Sequence, residues 1–166
     1  MWNRKPVWGW LVLAFLTTVA AQGFAQAVST PEERAHWVEV TQKLESSPLD
    51  ASVNQEGDKV LQRVMDVHDF HVPLCVAFFT EFNTMKYTYA HAMMRQFMLA
   101  SATYLIENPD KANDRNAMNQ AAIESVLKTY AAILQQKLDA KNKTIEDLLQ
   151  KQKRGTLAEY VQKRCP

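Results

Sequence analysis

Asp66, His68, Asp69 and His71 fall within six residues of one another, and His91 follows twenty residues after His71. Imidazole and carboxylate are the ligand set for zinc, copper or nickel, so His68, His71 and His91 form the candidate metal site. Helical metal ligands usually stand four residues apart on one face. His68 and His71 are three apart and straddle an expected helix end, where the competing reading has one capping the last carbonyls and the other in a loop beside Pro73. Four of the seven methionines, Met85, Met93, Met94 and Met98, lie close together in sequence. Thioethers are soft ligands for cuprous copper and equally good filling for an irregular core. Glu81 sits inside Phe78-Phe79-Thr80-Glu81-Phe82, where an aromatic setting could raise its pKa and make it a general acid, as glycoside hydrolysis requires. That chemistry needs a second carboxylate, and the sequence marks none. The other reading is a solvated or ion-paired carboxylate.

Other catalytic templates are missing. The sequence holds no Gly-x-Ser-x-Gly elbow and no His-Glu-x-x-His zinc helix. Four glycines in the whole chain leave no glycine-rich phosphate cradle. The expectation is therefore a protein without enzymatic activity and without a cofactor. What remains is aromatic crowding: Phe70, Phe78, Phe79, Phe82, Tyr87, Tyr89, Phe97 and Tyr104 lie within 35 residues. Aromatics fill cores, and they also anchor interfaces at low entropy cost. Phe78, Phe79, Phe82, Tyr87 and Tyr89 are the interface candidates, toward a protein partner or a second copy of the chain.

These residues need a scaffold, and composition bounds it. The 166 residues are 47% hydrophobic and 22% charged, with a formal charge of +1, which describes a globular chain of one domain. So balanced a charge argues against nucleic acid as partner. Residues 1–27 read as an address and not as part of the fold. Met1 to Lys5 is a short basic start, Val7 to Ala21 carries no charge, and Ala25-Gln26-Ala27 is a small-x-small cleavage pattern. The apolar stretch is shorter than the ~20 residues of a membrane span. A secretory signal cut between Ala27 and Val28 is expected, leaving residues 28–166 as a single all-helical domain with no membrane span, in the periplasm or outside the cell. The alternative is an uncleaved anchor. Removing Arg4 and Lys5 with no acidic residue turns the formal +1 into −1.

Cys75 and Cys165 are the only cysteines. In an oxidising compartment they are expected to form one disulfide that ties the C-terminal tail to the middle of the chain. Two separate thiols is the other reading, because sequence does not show whether the Cα atoms approach within ~7 Å.

The hydrophobic pattern is helical throughout, and six or seven helices are expected. Thr30-Pro31-Glu32-Glu33 is a capping box with proline at the first helical position, and Trp37, Val40, Thr41 and Leu44 share the next face. After Ser46-Ser47-Pro48, a second stripe runs from Leu49 through Val53, Gly57, Val60, Leu61 and Val64 to His68. Asp69 to Pro73 reads as a loop, Leu74 to Phe82 as a short buried helix, and Asn83 to Glu107 as one long central helix stopped by Asn108-Pro109. A further helix spans about 113–138. Thr144 is expected to cap the next, which Gly155 ends, and Thr156-Leu-Ala-Glu159 to cap the last.

Three segments, His71-Val-Pro-Leu-Cys75, Tyr104-Leu-Ile-Glu-Asn-Pro109 and the alanine-rich stretch from Ala117 to Ala132, stand in a familiar order. Over residues 71–134 the chain resembles the small exported α-helical immunity proteins that neutralise peptidoglycan amidases delivered by type VI secretion. It departs from them in closing on Arg164-Cys165-Pro166 about thirty residues after that stretch, where the family has Phe-Pro-Cys directly after it. The resemblance implies an all-α binding protein. Taken with the residues themselves, the leading expectation is an exported, disulfide-tied helical protein that binds another protein or itself. The alternatives are a small metal- or ligand-binding protein using His68, His71 and His91, and an envelope hydrolase with Glu81 as acid.

Overall fold

A computed structural model describes residues 28–165. Among them the chain forms seven α-helices and no strand: α1 (Pro31–Ser46), α2 (Ala51–Asp66), α3 (Val76–Thr84), α4 (Ala90–Glu107), α5 (Arg115–Gln136), α6 (Lys143–Lys153) and α7 (Leu157–Arg164), with a 3-10 turn at Pro109–Lys111. The domain is all-α and carries one disulfide, as the pattern and cysteine count predict. The leader and its Ala27 cleavage position lie outside the described residues.

Local signals set most helix ends. Thr30 accepts from the Glu33 N–H at 3.1 Å while Glu33 accepts from the Thr30 N–H at 2.8 Å, closing the capping box at the start of α1. Gly155 takes φ +70°, a conformation that costs glycine little. Thr156 N–H then reaches back to the Lys151 carbonyl and Gly155 N–H to that of Gln152, ending α6 in a Schellman turn. Two expected caps fail. Asn142, not Thr144, caps α6, by accepting from the Ile145 N–H. Thr156 makes no side-chain cap for α7, because its hydroxyl is spent on the Lys151 carbonyl behind it.

The long helix expected from Asn83 starts only at Ala90: α3 runs on to Thr84, and residues 85–89 turn between the two. Met85 turns extended at the end of α3, and Tyr87 is drawn sideways out of helical register. Its hydroxyl donates to the Ala140 carbonyl at 2.8 Å, and its ring meets Tyr89 and Tyr130. Burial pushes the Tyr87 phenol up from its ordinary value. Tyr130, beneath it, donates to Glu146 at 2.7 Å and accepts from the Asn142 N–H. Burial first, and then the Glu146 carboxylate, push the Tyr130 phenol up to about 12. These two tyrosines join the α3–α4 turn to the α5–α6 turn.

Helix α4 packs on α1, α2, α3 and α5. It divides the interior into two clusters. One holds Trp37, Val40, Leu44, Val60 and Val64 against Leu99 and Ala102. The other holds Phe78, Phe82, Phe97 and Tyr130 with the inner faces of α5, α6 and α7. The second stripe differs from expectation at its end: α2 stops at Asp66, and Val67 is buried where His68 was expected.

Gly57 explains how closely α2 approaches. A Cβ there would lie 2.7 Å from Leu44 Cδ1 and 3.3 Å from both Leu44 Cδ2 and Arg95 Nε. Leu44 is itself buried and has nowhere to turn. Gly57→Ala should therefore gain up to ~1 kcal/mol in helix propensity but lose about 1–3 kcal/mol to overpacking. The expected result is a lower melting temperature by thermal circular dichroism, by roughly 2–4 °C per net kcal/mol.

Cys75 and Cys165 are bonded across 90 residues, with Cα atoms 5.4 Å apart. The bond joins the residue before α3 to the residue after α7. Replacing both by serine should cost about 2–5 kcal/mol, most of it through a freer unfolded chain. Faster amide exchange should concentrate in α7, whose remaining anchors are the buried Leu157 and Val161, Tyr160 against Phe78 and the Arg164–Glu81 pair.

Candidate functional site

The α2–α3 connection, residues 67–75, is the longest stretch of the described chain without helix, and it carries two of the histidines expected to bind metal. Polar contacts hold its start. Asp69 accepts from Ser29 N–H and Ser29 Oγ, each at 2.9 Å, and pairs with Arg34 at 2.9 Å. Arg63 pairs with Glu33 at 2.8 Å and also donates to the Val28 carbonyl at 3.0 Å. Val28, the residue expected to follow cleavage, is exposed on its side-chain face while its carbonyl is held.

Because Val67 and Val72 turn inward, His68 and His71 turn outward, and both are exposed. His91 is exposed on the first turn of α4, whose buried positions begin only at Met93. Among the described residues no group of three or more histidines, cysteines or acids comes together in a way that could hold a metal ion. The metal site expected from His68, His71 and His91 is therefore not assembled. The helical period turns His91 to solvent opposite the core face of α4, while His68 and His71 are turned out of the connection by their inward neighbours Val67 and Val72. Met93 is buried core, and Met94 and Met98 are half-buried beside it.

The aromatic expectation divides. Phe78 and Phe82 are fully buried, meeting Phe97 with ring centroids 6.3 and 5.9 Å away, so neither is an interface residue. Phe79, Tyr87 and Tyr89 are half-buried, and the two tyrosines are occupied at the joint with α5. Glu81 is no isolated carboxyl among aromatics. It points outward from α3 and pairs with Arg164 at 2.8 Å, while Arg164 lies over the Phe78 ring.

Sequence reasoning missed the polar residues that tie the helices together. Arg95, only 2% exposed, donates to the Asn54 carbonyl and Oδ1 and to Asp58, fastening α4 to α2. Gln96 donates to the Thr41 carbonyl and to Ser125 Oγ, which in turn donates to Glu45 at 2.6 Å, so one side chain links α4 to α1 and α5. A groove of about 520 Å³ opens over this network, with Glu45, Glu107, Glu124 and Lys128 on its walls. Its buried polar groups are mainly spent on one another, which marks it as a joint between helices. No residue pattern signals such pairs, because each is remote in sequence.

Two cavities are better candidates. One, of about 270 Å³, is lined by Val64, Met65, Val67, Phe70, Val72 and Leu74 with His71 and Met98. The other, of about 300 Å³, lies beside the disulfide. They share Leu74. Exposed apolar side chains mark both: Met65 is 55% exposed at the first and Val76 74% exposed at the second. No helix among the described residues is long and apolar enough to cross a membrane. Comparison with known proteins finds no matching family model, no similar characterised protein and no similar solved structure.

The Asp69 clasp gives a pH-dependent expectation. Hydrogen bonds from the Ser29 backbone and side chain, together with Arg34, hold the Asp69 carboxyl below its usual value. A lowered carboxyl pKa adds stability that is present above the unfolded value, about 3.9, and is lost as pH falls through the folded one. Asp69→Asn should lower the melting temperature at neutral pH. The gap to the parent protein should close as both are titrated below about pH 4.

Proposed function

We propose that this chain is an exported, disulfide-bonded helical protein that acts without catalysis by binding another protein. The supporting observation is the apolar surface along the α2–α3 connection, where Met65 stands exposed at the cavity that Phe70, Val72, Leu74 and Met98 line and Val76 at the neighbouring cavity that shares Leu74. Contiguous apolar surface of this kind is where partner side chains gain most on burial. The face replaces the buried Phe78 and Phe82 as the contact surface. Export is supported by the leader pattern of residues 1–27 and by a disulfide, which persists in oxidising compartments.

The occupant we favour is a segment of a different protein that inserts an apolar side chain into the cavity. The resemblance of residues 71–134 to immunity proteins gives this reading its specific form, an inhibitor of a cell-wall amidase. Catalysis by Glu81 has no support, since its carboxylate is engaged by Arg164.

Size-exclusion chromatography with light scattering, followed by capture from the envelope fraction, tests the proposal. The oxidised protein should run as a monomer and retain a partner. Met65→Asp should abolish that retention with a stability change within about 0.5 kcal/mol, as befits an exposed site. Retention unaffected by Met65→Asp would overturn the reading. A dimer that Met65→Asp dissociates would assign the face to a second copy instead.

A further inference from the structure

The cavity beside the disulfide has walls of two chemical kinds. Pro73, Leu74 and Val76 contribute apolar surface, while Arg115 and Asn119 of α5 and Arg164 of α7 contribute polar groups. Helix α3, nine residues long, starts here without a side-chain cap, because the side chain at its N-cap position, Cys75, is committed to the disulfide. Its first-turn N–H groups and the positive end of its dipole favour an anion. Arg115 and Arg164 add two guanidinium groups, Arg164 already giving one N–H to Glu81.

Asn119 supplies an independent sign. It is 2% exposed, lies on the cavity wall, and its Oδ1 has no hydrogen-bond partner. A buried acceptor left unpaired in this way is available to a donor on something bound. The cavity therefore asks for an anion and a hydrogen-bond donor together, next to an apolar group. A simple carboxylate would meet only the first requirement, and inorganic phosphate, whose remaining O–H can donate to Oδ1, only the first two. The carboxyl end of a peptide meets all three, with two anionic oxygens, the amide N–H of its last residue, and that residue's side chain. The volume is at the small end for ligand cavities and suits a chain terminus better than a folded surface.

We propose that this cavity binds the free carboxyl end of a partner polypeptide that finishes in an apolar residue. The carboxylate faces the start of α3, Arg115 and Arg164; the terminal amide N–H is given to Asn119 Oδ1; the last side chain packs on Leu74 and Val76. The inference rests on the protein-binding reading and extends it, since Leu74 joins this cavity to the apolar one.

The test titrates the isotope-labelled, oxidised protein with N-acetyl-Leu-Val as the free acid, with the same peptide as its carboxamide, and with inorganic phosphate. The free acid should shift the amide resonances of Val76, Ala77 and Phe78 and the Asn119 side-chain signals saturably. The carboxamide should bind about ten-fold more weakly or worse, having lost its charge-assisted bonds. Arg115→Gln, at an exposed position, should weaken the acid by a similar factor with no loss of fold, and Asn119→Ala should do so if it folds. Equal binding of acid and carboxamide, phosphate binding as well as the peptide acid, or no saturable shift at these residues would overturn the proposal. Failure here with Met65-dependent partner capture intact removes this site alone; failure of both removes the protein-binding reading as well.

Discussion

A helix enclosed on several sides must satisfy its polar groups through its neighbours, and α4 is the helix on which this molecule depends. Arg95 and Gln96 sit in its buried middle. A buried guanidinium without partners would be severely destabilising. Arg95 therefore requires Asn54 and Asp58, which places α2; Gln96 requires Thr41 and Ser125, which places α1 and α5. Phe97, next in sequence, faces Phe78 and Phe82 and so places α3. Hydrophobic burial supplies most of the driving force, but these few polar contacts specify which helix lies where.

The approach of α2 follows from the same constraint. Arg95 reaches Asn54 only if α2 lies close, and Gly57 is the residue that permits this closeness by presenting no Cβ toward Leu44. A glycine that weakens the isolated helix thus strengthens its packing. The disulfide acts at the opposite edge, bringing the last helix back to the start of α3. Between these two fixed regions the α2–α3 connection spans the surface, held by Asp69 at one end and Cys75 at the other. Its inward valines close the core. Phe70, Pro73 and Leu74 are only partly buried, which is why the exposed apolar surface and both candidate cavities gather there.

Candidate chemistry was dispersed for a related reason. His91 and Glu81 look outward from different helices whose other face is core, while His68 and His71 lie in the α2–α3 connection, where Val67 and Val72 take the inward positions. The aromatic crowding had the reverse fate. Phe78, Phe82 and Phe97 stack inside because their spacing places them on the inner faces of α3 and α4. What remains for recognition is a short irregular segment, where no period directs side chains inward or outward.

Much of this was written locally. The all-helical class, the capping box at Thr30, the turn at Gly155, the loop before Pro73 and the inner stripe of α1 all follow from interactions within a few residues, and a sequence displays such interactions directly. The pairing of Cys75 with Cys165 followed from there being only two cysteines. The turn over residues 85–89 that delays the start of α4 was not legible, because it is made by Tyr87 reaching Ala140, 53 residues away. The partners of Arg95 and Gln96, the reason for Gly57, and the unpaired Asn119 beside two arginines were likewise hidden. Each is a meeting of helices, and a meeting of helices depends on how the chain returns to itself, which no local pattern encodes.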